Sequence, residues 1–443
     1  MLFKNYDQII LNGETPELQK KRKDILNILT YALDAVDPYN ATKDFIINNL
    51  TKFNHNLIDF SKIENVYVVG FGKASIGMAK AVFDNIKVAQ GVIITNETNF
   101  SCDYENLEVI IGGHPIPNQG SITGAQKIIE LLKNSNVNDL IIVLISGGGS
   151  ALLCNPRVSL NTLQITTDLL LKSGADISEI NTIRKHLSYV KGGQLVKYSR
   201  SKILSLIISD IVNDPLEFIA SGPTSPDSTT FLDSKKIFEK YDLWDRVLQE
   251  VIEIINDGLA KKIPETLKSN DPEFERVYNL IIANNEIACK AAVRRSIELG
   301  YKPKILTTSL TGEARDISHQ LLNQSDEFSK DNNLFISGGE PTVTVKGLGK
   351  GGRNQEFVLS IMKQIADTNT IIASFATDGI DGKSDAAGAI ADGFSLDKSK
   401  KRNLNLNSFL ENNNSYEFFK ELGDLFITGP SGTNVMDIQI IMK

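Results

Sequence analysis

Hydrophobic positions along the chain first repeat at helical spacing and then gather into short continuous runs. ELQKKRKDILNILTYALDAV keeps Ile25, Leu26, Ile28, Leu29, Leu33 and Val36 on one stripe, and Asp37-Pro38 stops it. The pattern then becomes VYVVG (66–70), GVIIT (91–95), LEVIIGG (107–113), DLIIVLISGG (139–148) and KILSLIISD (202–210), β-branched runs that end in Gly, Ser, Thr or Asp. Helical patterns such as KASIGMAKAVFDNI and SITGAQKIIELLKN separate most of them. Apolar strands alternating with helices predict a parallel sheet covered on both faces, a doubly wound α/β domain.

From residue 231 the text turns helical and charged (SKKIFEKYDLWDRVLQEVIEIINDGL) and reads as a connection. A second α/β series follows: YNLIIANN (278–285), KILTTSL (304–310), NLFISGGEPTVTV (333–345), TIIASFATDG (370–379), DLFITG (424–429) and a closing DIQIIM. TVTVKG predicts a hairpin arm, and the asparagine-rich NLNLNSFLENNNS a surface loop. The expected domains are 1–240, a helical connection over 241–275, and 276–443. At 443 residues the chain exceeds the length at which one core keeps growing, which agrees with two domains.

Composition removes several classes of partner. With 41% hydrophobic and 23% charged residues it is that of an ordinary soluble globular protein. The 47 basic and 54 acidic side chains leave a net charge of -7 without a polybasic block, which argues against nucleic acid and anionic membrane. No apolar window reaches membrane-spanning length, and MLFKNYDQIILNG lacks the start of a signal peptide. Cys102, Cys154 and Cys289 are odd in number and widely spaced, which suits neither a disulfide framework nor a zinc site. A cytoplasmic protein is expected.

Each half holds a strand that ends in Ser-Gly-Gly: LISGGGSALL (144–153) and FISGGEPTVT (335–344). In the first, Gly147, Gly148 and Gly149 between Ser146 and Ser150 would let backbone N–H groups face an anion at a strand's carboxyl end. The alternative is a tight strand-to-helix turn that binds nothing. GFGKASIGMAKA (70–81) almost spells a dinucleotide fingerprint, but Ser75 stands at the third glycine and Lys73 follows Gly72 where a pyrophosphate would need close backbone approach. A lysine there opposes the helix dipole, so it either faces an anionic ligand or is a solvated surface group.

GLGKGGRNQEF (347–357) lacks the order of a P-loop; Arg353, braced by a Gly-Gly turn, is a better anion clamp than Lys350. ATDGIDGKSDAAGA (376–389) offers Asp378, Asp381 and Asp385 as hard oxygen ligands for Mg²⁺ beside phosphate. ISDIVNDPLEFIASGPTSPD (208–227) likewise places Asp210 and Asp214 after a strand. Acidic turn residues also cap helices, so either loop alone says little, but two of them in one chain beside cationic glycine loops favour the metal and phosphate reading. INTIRKHLSYVKGG (180–193) reads as an amphipathic helix with Arg184, Lys185, His186 and Lys191, for which a charged solvated face is the bland account. GGHPIPNQGS (112–121) holds His114, one of four histidines, in a stiff loop at the sheet's carboxyl edge, with Ser121 or Thr123 starting the next helix. With no paired nucleophile, His114 reads as a donor that positions substrate or as a loop brace rather than as a general base. His55 and His319 sit in polar helical contexts and receive no role. No nucleophile elbow and no H-E-x-x-H helix is present.

Taken in order, GFGKAS, GGHPIPNQGS, LISGGGSALL, NTIRKHLSYVKGGQL, ISDIVNDPLEFIASGPTSPD, ISGGEPTVTVKGLGKGGRNQEF, ATDGIDGKSDAAGA and TGPSGTNVMD resemble the signature segments of the glycerate 2-kinase family. The likeness runs from Tyr67 to the end of the chain. It implies a Rossmann-like first domain, a smaller MOFRL-type α/β domain with a mixed sheet, and an active site in the interdomain cleft. It also implies ATP-dependent, Mg²⁺-assisted phosphorylation of D-glycerate at its 2-hydroxyl. The family's cleft lysine and arginine fall on Lys73 and Arg353, and its acidic and polar cleft positions on Asp210, Glu340, Asp378 and Asn434.

The expected site therefore has Lys73, Arg353 and Asp210 as catalytic groups. Gly72, His114, Ser146, Gly147, Gly148, Gly149, Ser150, Lys191, Glu340, Asn354 and Asn434 would bind substrate or nucleotide, and Asp378 and Asp381 metal. Which of Asp210 and Asp378 takes the hydroxyl proton and which holds Mg²⁺ stays open, as does monomer or homodimer. Asn213 stands where the family tends to have Gly, and Pro341, Ser384, Ser431 and Met436 replace the usual Thr, Thr, Thr and Asn. The rival readings are an NAD(P)H-dependent hydroxypyruvate reductase, favoured by GFGKAS but opposed by Ser75, and a non-catalytic protein that binds a sugar acid or nucleotide.

Overall fold

Two six-stranded sheets organise the chain. The computed structural model describes residues 2–50, 60–100 and 104–443, so His55 and Cys102 lie outside it. One unit is Pro38–Ile282; the other combines Met1–Asp37 with Ala283–Lys443.

In the first unit β1 (Val66–Phe71), β2 (Gln90–Thr95), β3 (Leu107–Ile111), β4 (Leu140–Ile145), β5 (Lys202–Ile208) and β6 (Val277–Ala283) lie in the order β3-β2-β1-β4-β5-β6. The neighbours among β1 to β5 are parallel. Their apolar side chains pack with Ile128 and Leu132 of helix Gln119–Asn134 into one core that includes Val69, Ile94, Val143 and Ile207. The order reverses between β1 and β4, so the turns after these strands face the crevice where open α/β sheets take ligands. Asn118 caps helix Gln119–Asn134, and Ser121 completes a capping box from its third position instead of starting the helix as expected. A second core, with Leu170, Ile183, Phe231, Phe238 and Val251, joins helices Leu160–Ser173, Ile177–His186, Phe231–Lys240 and Gln249–Leu259.

YNLIIANN does not open the second sheet. Its strand, β6, flanks β5, and Asn279 accepts from Thr224 Oγ1 at 2.7 Å while returning Nδ2 to the Thr224 carbonyl at 2.9 Å. A strand that is mostly half-buried suits the sheet's edge. Residues 241–275 thus belong to the first unit instead of forming a separate connection.

In the second unit β7 (Pro303–Leu310), β8 (Leu334–Gly339), β9 (Ile371–Ala376), β10 (Gly388–Asp392), β11 (Leu425–Phe426) and β12 (Asp437–Met442) lie in the order β11-β10-β9-β12-β8-β7. β7 and β8 are parallel and the other neighbours antiparallel, giving the mixed sheet expected. β10, which no apolar run in the sequence marked, begins at Gly388 inside the acidic stretch 376–389. The hairpin at TVTVKG is not formed: Thr342 makes one bridge to Glu313, and the Lys346 and Gly347 amides donate to Asn413 Oδ1.

Helix Pro16–Asp34, expected with the first domain, belongs here. Its Arg22 is fully buried, with Nε 2.8 Å from Asp392 Oδ2 and Nη1 2.5 Å from Asp424 Oδ1. Buried carboxylates need such a partner, and this one comes from the far end of the chain. Among the described residues no helix is long and apolar enough to cross a membrane.

Candidate active-site residues at two sheet edges

In the first unit the turn after β1 is stitched to the turn after β4. The Lys73 N–H donates to the Gly147 carbonyl at 2.9 Å and the Ala74 N–H to Ser146 Oγ at 3.1 Å. Gly72 donates to the Ile94 carbonyl at 3.2 Å, so Gly72 and Ser146 shape the turns from within the fold. Gly148 has φ +81°, and a Cβ on it would lie 2.8 Å from His114 Cδ2 and 3.4 Å from Lys73 Cγ. At Gly147 a Cβ would collide with the Asp210 carboxylate. Lys73, His114 and Asp210, distant in sequence, therefore close around the triple glycine. Lys73 is exposed and His114 half-buried. Burial first, and the Lys73 ammonium second, hold the His114 imidazole below its ordinary value, so it is neutral at pH 7.

Ser150 shares its hydroxyl with Ser221 at 2.6 Å, and Ser221 donates to Asn181 Oδ1 at 3.1 Å. The basic helix Ile177–His186 does not present a solvated face. Lys185 is buried and paired with Asp227 at 3.1 Å, and His186 is buried between the Thr182 carbonyl and Glu265. Lys191, expected to meet a ligand, is only 2% exposed and donates to the Ser150 and Leu153 carbonyls at 2.5 and 2.9 Å. Two of its three N–H groups brace the glycine turn.

In the second unit the carboxyl ends of β8 and β9 and the start of β12 share an edge. Asp437, the first residue of β12, pairs in register with Gly339 and Ala376. It is fully buried and grips Arg353 bidentately, from Nε at 2.5 Å and Nη2 at 3.0 Å. Arg353 Nη1 reaches Glu340 Oε1 at 2.7 Å. Burial works against the Arg353 charge, but Asp437 and Glu340 outweigh it and hold its pKa above the ordinary value. Burial pushes Asp437 up to about 7 although Arg353 opposes the shift. The sequence reading missed Asp437; its signal was a carboxylate opening the otherwise apolar run DIQIIM.

Asp381 was expected to hold metal. Instead both its oxygens cap helix Arg353–Ile361, accepting from the Asn354 amide and Nδ2 at 3.1 and 3.2 Å and from the Gln355 amide and Nε2 at 2.9 Å each. Four hydrogen bonds occupy a buried carboxylate, which leaves no lone pair directed at a cation. Asn354, expected to meet a ligand, is buried too and accepts from Ser374 Oγ at 2.5 Å. Asp378 is different: it is half-buried, and its side chain accepts from the Ile380 amide through Oδ1 at 3.0 Å. Asp385 pairs with Lys350 at 3.3 Å. Asn434 accepts from the Met436 amide at 3.0 Å. Among the described residues no three His, Cys, Asp or Glu side chains are grouped to hold a metal by themselves.

Residues 24–256 match a domain of unknown function (DUF4147) and residues 333–437 match the MOFRL family. The chain is 43% identical to a glycerate 2-kinase of Pyrococcus horikoshii, over 94% of this chain and 96% of that one. It is 34% identical to a putative hydroxypyruvate reductase of Agrobacterium vitis, over 95% of this chain and 94% of that one. The crystal structure of a glycerate kinase from Thermotoga maritima superposes with a TM-score of 0.85 at 36% identity, covering 96% of this chain and 99% of that one.

Proposed function

The chain belongs to the glycerate 2-kinase family, and we propose that it transfers the γ-phosphoryl group of ATP to the 2-hydroxyl of D-glycerate, giving 2-phospho-D-glycerate and ADP. The observation that carries this reading is the closure of Lys73, His114 and Asp210 around Gly147 and Gly148 at the switch point of the first sheet.

Phosphoryl transfer asks for charge neutralisation and alignment more than for a covalent intermediate. The Lys73 ammonium offsets charge on the transferring group while the glycine turn admits it without side-chain obstruction. Asp210 takes the proton from the 2-hydroxyl as the oxygen attacks phosphorus, and the neutral His114 imidazole donates a hydrogen bond that orients substrate. At the edge of the second sheet Arg353, held from behind by Asp437, is placed to meet an anion when Glu340 yields its place.

Mg²⁺ binds with few protein ligands and keeps phosphate oxygens and water. Asp378, with an open oxygen, fits that demand and Asp381 does not. The ion would neutralise nucleotide charge there.

The test is an assay of purified protein with D-glycerate, ATP and Mg²⁺, with product regiochemistry read by phosphorus NMR and NADH oxidation by hydroxypyruvate run beside it. ADP and the 2-phosphate are expected. NADH loss without ADP formation would transfer the chain to the reductase reading, and binding without turnover to the non-catalytic one.

A further inference from the structure

Beneath the glycine turn of the first unit lie two cations that no carboxylate balances. Arg184 donates Nη2 to the Ser150 carbonyl at 3.2 Å, and Lys191 donates to the same oxygen at 2.5 Å. Among the described residues neither has a carboxylate in ion-pair reach, and the one other ionisable neighbour that faces both is the Cys154 thiol. Arg22, Lys185 and Arg353, by contrast, each hold a buried carboxylate. Two uncompensated cations side by side in a poorly solvated place are costly. Burial, and for Lys191 also the Arg184 charge, hold both below their ordinary values, Lys191 down to about 7.

The arrangement is also incomplete in its hydrogen bonding. Arg184 Nε is buried and has no partner, while the residue as a whole keeps accessible surface. Nε and Nη2 form the edge through which Arg353 grips the Asp437 carboxylate with two bonds. In Arg184 Nη2 gives one of its two hydrogens to a carbonyl, and Nε–H has no partner among the described residues.

We propose that Arg184, with the Lys191 charge behind it, is the subsite for the carboxylate of the hydroxy-acid substrate. A guanidinium edge matches two coplanar oxygens. The hydroxyl chain Ser150, Ser221, Asn181 borders the same turn and offers polar contact to the rest of a small polyol acid. The identity of the acid rests on the kinase reading; the subsite itself does not.

Arg184→Met and Arg184→Lys test this. Losing charge-assisted bonds to a carboxylate is expected to raise KM for D-glycerate by about 30-fold in R184M, less in R184K, with KM for ATP unchanged. Without ligand, R184M is expected to melt no lower than wild type, because an unbalanced charge has gone. D-glycerate should raise the melting temperature of wild type but not of R184M, and glycerol, which lacks the carboxylate, should raise neither. An unchanged KM for D-glycerate, or a rise in KM for ATP instead, overturns the assignment. So does a lower melting temperature of unliganded R184M combined with a retained D-glycerate shift, which marks a structural role. If wild type does not phosphorylate D-glycerate, the kinase reading fails separately; the melting comparison is then made with other small hydroxy acids, and equal shifts in wild type and R184M, or no shift of wild type by any of them, sink the subsite.

Discussion

At the scale of single residues, several departures from the family pattern turn out to serve the backbone. Asn213 has φ +64°, the left-handed turn that Gly would adopt freely and Asn tolerates. Met436 has φ +68° and is buried, its carbonyl accepting from the Thr377 amide and hydroxyl, a left-handed conformation that the usual Asn there tolerates readily. Ser384 and Ser431 keep the hydroxyl contacts a threonine would make, to the Asp381 and Thr377 carbonyls at 2.7 and 2.5 Å. For chemistry, Lys73→Met and Arg353→Ala are each expected to lower kcat by about 10²-fold or more in steady-state kinetics; thermal unfolding should leave the exposed Lys73 variant near wild type and lower the Arg353 variant, whose buried Asp437 loses its partner. Near wild-type turnover in both would refute the assignment. Lys191 sets a pH dependence. Its folded-state value of about 7 lies below the unfolded 10.5, so between these the unfolded chain holds the extra proton and stability rises with pH; the full penalty is present below 7. Urea melts at about pH 7 and about pH 9 should show wild type gaining on Lys191→Met by up to about 1.4 kcal/mol per pH unit.

At the scale of elements, strands and most helices were legible because their apolar periods are strong, whereas the roles of charged residues within them were not. The stretch INTIRKH has the spacing of a surface helix, yet Lys185 and His186 are buried because Asp227 and Glu265, from later segments, neutralise or bond them. Asp381 looked like a metal ligand for the same reason: spacing in a loop does not reveal that a helix N-terminus will present amides to it. Removing this cap is expected to cost about 1–2 kcal/mol in Asp381→Ala and to raise KM through the displaced Arg353, as read by denaturant melts and kinetics. The end of helix Gln249–Leu259 offers an opposite test. Lys261 there adopts φ +60° on the surface, so Lys261→Gly should stabilise the chain by about 1 kcal/mol in the same melts.

At the scale of the molecule, the amino-terminal helices belong with the carboxyl-terminal sheet, and Arg22 explains why. Arg22→Met leaves Asp392 and Asp424 buried without a cation and is expected to cost about 3–5 kcal/mol of unfolding free energy. Residues 283–443 expressed without residues 1–37 should fail to give a cooperative thermal transition. A sharp transition in that fragment would contradict the role given to Arg22. The alternation of short apolar runs and helical stripes was by itself enough for two α/β units, the first a doubly wound parallel sheet, and for the turns that carry Lys73 and Arg353, because burial periodicity and glycine turns are written locally. Tertiary structure alone decided where β6 and the first helices belong, that Asp381 caps and Asp437 grips, and that Arg184 and Lys191 lie unbalanced beneath the glycine turn. Each of these depends on which charged group meets which across hundreds of residues, and a buried charge is stable or costly only by the company the fold brings to it.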